Sequence, residues 1–363
     1  MVTFCESIFR GNDSSDFKIE VKEMEKRIVI SGIGTGGHYF PAVVVAKEFL
    51  RRNFDVIFLS RPGFKEERVG RMFGLKIFYI NPKPFSGKTI FLKIIALFSF
   101  IKCIIRLIPL VKKGIGFSFG GFGALPLTFA CLIKRRPFYL FEPNCIPGRA
   151  TRVVSNYARR VFLGMPSKIN LKARCEVTGI PVREEFKNSV YYSNKTEREK
   201  RILFIGGSQG AKRLNEWAIS LTKILPGEFT IVIISGERDF NWVFERKDSR
   251  TVVIPFTDKP WDEIKKAEVV VSRAGALAGY ELLTLNKKIV FVPFPYATDN
   301  HQLYNAQYFS ELGNAIVLEE KKTTEEIIAQ KILEMMKRQV ENKGEIILDA
   351  EKRIVDFVEK ETG

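Results

Sequence analysis

Cysteine is sparse in this chain of 363 residues, and what there is does not pair by spacing. Cys5, Cys103, Cys131, Cys145 and Cys175 are odd in number, far apart and without a Cys-x-x-Cys, which argues against a disulfide framework or a zinc site and fits a reducing compartment. Histidine occurs only at His38 and His301. An Asp-x-Asp triplet is missing, which weakens any metal-chelating diphosphate site. The first residues are acidic and polar and lack an apolar core, so no secretory signal is expected. No short-period repeat or low-complexity tract interrupts the chain.

Negative charge is the most telling shortage. Residues 1–183 hold 31 basic and 12 acidic side chains, whereas 184–363 hold 27 and 29. The whole excess of the +17 chain therefore lies in its first half, which should face something anionic: nucleic acid, a phosphorylated substrate or a lipid surface. With 45% hydrophobic and 27% charged residues, the chain has the composition of a globular protein and the length of two domains.

Both halves read as strand, glycine loop, helix. In the first, Arg27–Ser31 is a strand, Gly32–Gly37 a loop and Pro41–Arg52 a helix with proline in its first turn. Asp55–Ser60, Ile115–Phe119 and Phe138–Phe141 are further strands. In the second, Arg201–Ile205, Gly206–Gly210 and Ala211–Leu225 repeat the scheme, followed by strands at Thr230–Ile234, Val252–Ile254, Val269–Val271 and Ile289–Val292. This alternation predicts an α/β fold of two doubly wound Rossmann-like domains facing a cleft. The expected division is a flexible extension at 1–23 (or a true start at Met24), a first domain at 24–186, a second at 200–340, and a C-terminal helical stretch at 341–363 returning to the first domain. Glu325–Glu361 as a whole reads as helical.

Gly32-Ile33-Gly34-Thr35-Gly36-Gly37 satisfies G-x-G-x-x-G, yet the next strand ends Leu59-Ser60-Arg61 without the acidic residue an NAD site wants. An NADP-dependent oxidoreductase using Arg61 is one alternative. Gly206-Gly207-Ser208-Gln209-Gly210 is the better phosphate site, since its amides and the following helix N-terminus favour anions, with Ser208 and Gln209 adding donors. A third loop, Ser272–Gly279, follows another strand and offers amides to the same ligand. Two such loops in one domain suit a nucleoside diphosphate.

Seven motifs stand in order: Gly34-Thr35-Gly36-Gly37-His38 with Pro41, Gly120–Gly123, Glu142-Pro143-Asn144, Thr178–Arg183, Gly206–Ala211, Ser272–Ala276 and Asp299–Gln302. Together they resemble the MurG family, bacterial glycosyltransferases that add N-acetylglucosamine (GlcNAc) to undecaprenyl-pyrophosphoryl-MurNAc-pentapeptide (lipid I), giving lipid II for the cell wall. The resemblance implies a GT-B fold, an acceptor site on the first domain and UDP-GlcNAc on the second. It places Ser208 and Gln209 on the diphosphate, Arg183 and Gln302 on the donor, Glu281 on the ribose hydroxyls and Asn144 on the sugar. Thr35, Gly36, Gly37, Gly210, Ala276 and Leu277 complete the implied donor set. Phe141, Pro143, Thr257 and Ala278 depart from the family's usual residues. Asn305 is read as a surface or capping residue.

Inverting transfer needs a base for the acceptor hydroxyl, and His38 leads because imidazole titrates near working pH. Glu142 is second, and His301 is expected to be structural or donor-contacting. No cofactor or metal is required, because loop amides and the helix end at Gly207–Ala211 meet the leaving-group charge. Thr89–Val111 has no uncharged run beyond Ile94–Ile101, short of the roughly 20 residues of a span. As a helix it puts Lys88, Lys102 and Arg106 together and Lys93 on another face, then meets Pro109. This fits peripheral attachment to an anionic membrane surface at its cytoplasmic face; a core helix is the other reading. A non-catalytic nucleic-acid-binding protein would also use the basic half, but no motif for it accompanies the charge, and no nucleic-acid partner is expected.

Overall fold

The computed structural model describes residues 26–63, 74–83, 89–187, 200–207, 210–339 and 344–362. The extension 1–23, Lys88, Ser208, Gln209 and most of the stretch between the two halves lie outside the described residues. The first sheet comprises β1 (Arg27–Ser31), β2 (Asp55–Ser60), β3 (Lys76–Tyr79), β4 (Gly114–Ser118), β5 (Phe138–Glu142), β6 (Arg160–Leu163) and β7 (Cys175–Val177). Its order is β3-β2-β1-β4-β5-β6-β7. The second comprises β8 (Arg201–Ile205), β9 (Thr230–Ile234), β10 (Thr251–Ile254), β11 (Val269–Ser272), β12 (Lys288–Phe291) and β13 (Ala315–Val317), in the order β10-β9-β8-β11-β12-β13. Every pairing is parallel.

Helices of the first half are α1 (Gly36–Arg51), α2 (Ile90–Val111), α3 (Leu125–Ile133), α4 (Arg149–Val154) and α5 (Glu184–Lys187). Those of the second are α6 (Lys212–Leu221), α7 (Phe240–Arg246), α8 (Pro260–Lys266), α9 (Ala276–Thr284), α10 (His301–Leu312), α11 (Glu325–Lys337) and α12 (Ala350–Thr362). Parallel strands buried on both faces explain the β-branched and aromatic runs: β5 and β11 are buried at every position. Between β4, β5 and β6 the core is aromatic, with Phe117, Tyr139 and Phe162 rings in mutual contact.

In each sheet the strand order reverses once, at β1/β4 and at β8/β11. Loops leaving neighbouring strands in opposite directions open a crevice there at the carboxyl edge. The loops after β1, β4, β8 and β11 are those carrying the glycine motifs. Topology thus brings four sequence signals to two crevices.

Three local expectations need correction. Helix α1 begins at Gly36, not Pro41, because Thr35 O already accepts from His38 N and Tyr39 N; Pro41 sits in the second turn and leaves Gly37 O without its helical donor. The C-terminal helical stretch is two helices, α11 and α12, separated by a segment in which Gly344 passes so close to α10 that a Cβ would lie 2.6 Å from Leu312 Cδ2. Pro109 does not end α2, which runs to Val111 with Lys112 N donating to Ile108 O; the proline is on the exposed side.

Helix α12 follows the second sheet in the chain yet packs on α1. Arg52, at the end of α1, pairs with Asp356 and Glu359 at 2.6 Å each. Glu361 accepts from Arg160 Nε at 2.9 Å and from Tyr139 OH at 3.1 Å. The helix bearing His38 at its start is tied down at its other end.

Candidate active site

At the second crevice, Gly210 has φ +75° and approaches Ser235 O so closely that a Cβ would lie 2.4 Å away. Only glycine fits, and the β8 loop can fold against the β9 loop. Helix α9 starts at Ala276, sooner than the sequence suggested, and its first helical bond is Gly279 N to Gly275 O at 2.8 Å. The amides of Ala276 and Leu277 precede that bond and have no intrahelical acceptor, which makes them anion donors. Gly279 is a packing glycine; a Cβ would meet the Phe309 ring of α10 at 2.1 Å.

Glu281, on the same helix, is buried and takes two contacts from Arg183, at 3.3 Å from Nε and 3.1 Å from Nη2. Burial pushes its pKa up, while the Arg183 charge opposes that rise. Gln302, in the first turn of α10, accepts from Phe294 N at 2.9 Å and so pins the loop ahead of that helix. Asp299 and Asn300 just before it adopt left-handed φ of 52° and 53°. Asp299 pairs with Arg152 of α4, an ion pair across the cleft.

At the first crevice the His38 ring fills the space among Gly34, Gly120 and Gly121: Nδ1 is 2.7 Å from where a Gly34 Cβ would stand, and Nε2 is 3.6 Å from that of Gly121. Thr35 Oγ1 lies 3.4 Å from Nδ1. Burial lowers the His38 pKa below 6.5, the Glu142 charge raises it, and His301 lowers it again. His301 Nδ1 is 2.8 Å from Thr298 O.

Glu142 is buried at the end of β5, and its carboxylate accepts from Asn144 N, Asn144 Nδ2, Gly148 N and Thr151 Oγ1 at 2.7–3.2 Å. Four donors on two oxygens make it the organiser of the 142–151 turn. Arg61, which an NADP site would require, donates instead to Gly34 O at 3.2 Å.

Asn305 is the residue the sequence reading misjudged. It is wholly buried: Oδ1 accepts from Cys145 N at 3.0 Å, and Nδ2 donates to Asn144 Oδ1 at 3.0 Å and Ala274 O at 3.2 Å. One side chain of the second domain thus joins the Glu142 turn of the first to the β11 loop. Its neighbours Ala306 and Phe309 are also buried, and that apolar stripe was the available signal. Among the described residues no group of three or more His, Cys, Asp or Glu is placed to hold a metal ion.

Two doubly wound units, with glycine loops and helix starts on one wall and a buried imidazole on the other, make up the GT-B fold. Residues 28–163 match the glycosyltransferase family 28 N-terminal domain, and 201–358 match its C-terminal domain. A "UDP-N-acetylglucosamine--N-acetylmuramyl-(pentapeptide) pyrophosphoryl-undecaprenol N-acetylglucosamine transferase" from Sulfurihydrogenibium sp. (strain YO3AOP1) is 32% identical over 348 residues, covering 92% of this chain and 98% of that one. The enzyme of the same name from Aquifex aeolicus is 30% identical, over 87% and 92%. The crystal structure of Acinetobacter baumannii MurG superposes with a TM-score of 0.70 at 25% identity, over 92% and 99%. A Neisseria meningitidis UDP-GlcNAc 2-epimerase bound to UDP-GlcNAc shares the fold alone, with a TM-score of 0.63 at 14% identity over 92% and 99%. The chain belongs to glycosyltransferase family 28, in its MurG branch.

Proposed function

We propose that His38 is the base, and the second crevice the UDP site, of the reaction this family member performs: transfer of GlcNAc from UDP-GlcNAc to the MurNAc C4 hydroxyl of lipid I, with inversion, to form lipid II. The observation that carries the site reading is the opposition of the two crevices, amides on one wall and imidazole on the other. The acceptor oxygen attacks the anomeric carbon from the face opposite the diphosphate. The new C–O bond forms as the bond to the β-phosphate oxygen breaks, and its electron pair leaves with UDP. The acceptor proton passes to His38, whose burial favours the neutral imidazole able to take it. Charge on departing UDP is met by amides at the starts of α6 and α9. Ser208 and Gln209 add to them, and Glu281 takes the ribose. Glu142, with its four donors, serves as a framework for Asn144 instead of a second base.

The lipid end of the acceptor suits α2. Among the described residues, this helix alone is long and apolar enough by length and composition to cross a membrane. It packs on α3 through one face, burying Ala96, Cys103, Leu107 and Val111. Ile90, Phe91, Ile94, Leu97, Phe98, Ile101 and Ile105 are exposed on the other. At 100° per residue, Lys93 flanks that apolar face on one side, and Lys102 and Arg106 flank it on the other. Such a helix lies in the membrane plane, apolar face down and cations at the headgroups.

Transfer of labelled GlcNAc to a short-chain lipid I analogue tests the reading. Wild type should turn over and His38→Ala should not. Undiminished transfer by His38→Ala would remove the base, and UDP binding without transfer by wild type would remove the acceptor.

A further inference from the structure

Arg183 is held more tightly than a residue that reaches out to a ligand. Its guanidinium lies 4.5 Å from the Phe40 ring centroid and 5.0 Å from those of Phe186 and Trp261. The three rings come from three places: Phe40 from α1, two residues after His38, Phe186 from α5 and Trp261 from α8. Phe186 and Trp261 also meet edge to face at 5.6 Å. Cation–π attraction strengthens when the cation is desolvated, and this side chain is 18% exposed. Moving it onto a phosphate would strip it of three rings and a carboxylate together.

Its two contacts to Glu281 both fall on Oε1. Oε2 has no hydrogen-bond partner among the described residues. A carboxylate buried in this way stays charged only beside a cation, and a charged oxygen with free lone pairs is the group a ribose diol needs.

We propose that Arg183 acts on the donor through Glu281, as a positioning residue that fixes one carboxylate oxygen so that the other faces the ribose hydroxyls, with Phe40, Phe186 and Trp261 as its clamp. The proposal rests on the UDP reading of the second crevice. It also places an acceptor-domain side chain, Phe40, in the grip on the donor's ribose.

Calorimetry with UDP and 2′,3′-dideoxy-UDP separates this role from a direct contact to phosphate. Wild type should bind UDP roughly tenfold or more tightly than the dideoxy nucleotide, the worth of hydrogen bonds to a charged group. Arg183→Lys should lower UDP affinity to the dideoxy level while changing dideoxy-UDP binding by less than about twofold. Glu281→Gln should behave alike, and the double variant should be no weaker than the weaker single. Trp261→Leu should show a smaller loss confined to UDP, which keeps the test open should Arg183→Lys fail to fold. An equal loss on both nucleotides in Arg183→Lys or in Trp261→Leu would overturn the proposal, as would a wild type that does not distinguish them. A folded wild type that binds neither would overturn the underlying site reading instead.

Discussion

The two crevices share one topology and differ in what fills them. In the second, the amides of Ala276 and Leu277 stand at a helix start with no side chain folded over them from Gly275, and the glycines of the β8 loop give close backbone approach. In the first, the corresponding concavity between the β1 and β4 loops holds the His38 ring. A phosphate would have to displace that imidazole, and Arg61, the cation a 2′-phosphate would seek, is already bonded to Gly34 O. The strand–glycine–helix pattern therefore does not by itself make an anion site. The residue in the third position of the helix decides whether the backbone faces a ligand or serves as a seat for a side chain.

Closing the second crevice should have the largest effect. Gly210→Val puts a β-branched side chain at φ +75° and against Ser235 O. UDP affinity and turnover should each fall by roughly a hundredfold or more, the scale of losing preorganised donors. Next comes the first crevice. His38→Gln should lower turnover by about 10²–10⁴-fold with UDP binding unchanged. Because burial lowers the His38 pKa, the acidic limb of the wild-type pH–rate profile should have its midpoint below 6.5 and vanish in the variant. The protonated form is the one burial disfavours, so His38 also costs folding stability as pH falls from 6.5 through the lowered value, and the melting-temperature difference between wild type and His38→Gln should stop changing with pH above 6.5.

The bridge between the crevices comes third. Asn305→Ala leaves Cys145 N, Asn144 Oδ1 and Ala274 O without their partner, and should cost about 1–3 kcal/mol of stability. Thermal melting checks it, and an unchanged melting temperature would mean that water replaces the amide. The smallest effect on the folded protein belongs to α2. Phe98→Asp changes an exposed side chain, so stability should shift by less than about 0.5 kcal/mol. Sedimentation with anionic vesicles should nonetheless fall, while activity on a short-chain acceptor analogue stays as in wild type.

What could be read from the sequence follows from how local each signal is. Strands β1, β2, β8 and β9 were legible to the residue, because each is a buried β-branched run closed by a turn. Strands β3, β6, β7 and β13 went unread: each is as short as β10–β12 but carries at most two β-branched residues, and β7 is a partly exposed edge, so neither composition nor alternation marks them. The glycine loops were legible, and so within one residue was the start of α6, but the starts of α1 and α9 were not, since those turns are set by neighbouring strands. His38 could be named from its motif, whereas its wedge among three glycines depends on loops from β1 and β4, about 80 residues apart in the chain. Asn305 and the aromatic clamp on Arg183 are tertiary arrangements: the apolar stripe of Ala306 and Phe309 marks the face on which Asn305 lies, but not its partners in the other domain.

Which wall holds the nucleotide can be measured directly. Calorimetric titration of UDP into wild type, His38→Gln and Gly210→Val should give saturable binding of equal affinity in the first two and binding weaker by roughly a hundredfold or more in the third. Loss of binding in His38→Gln with retention in Gly210→Val, both variants folded, would put the nucleotide on the first crevice and contradict its placement on the second.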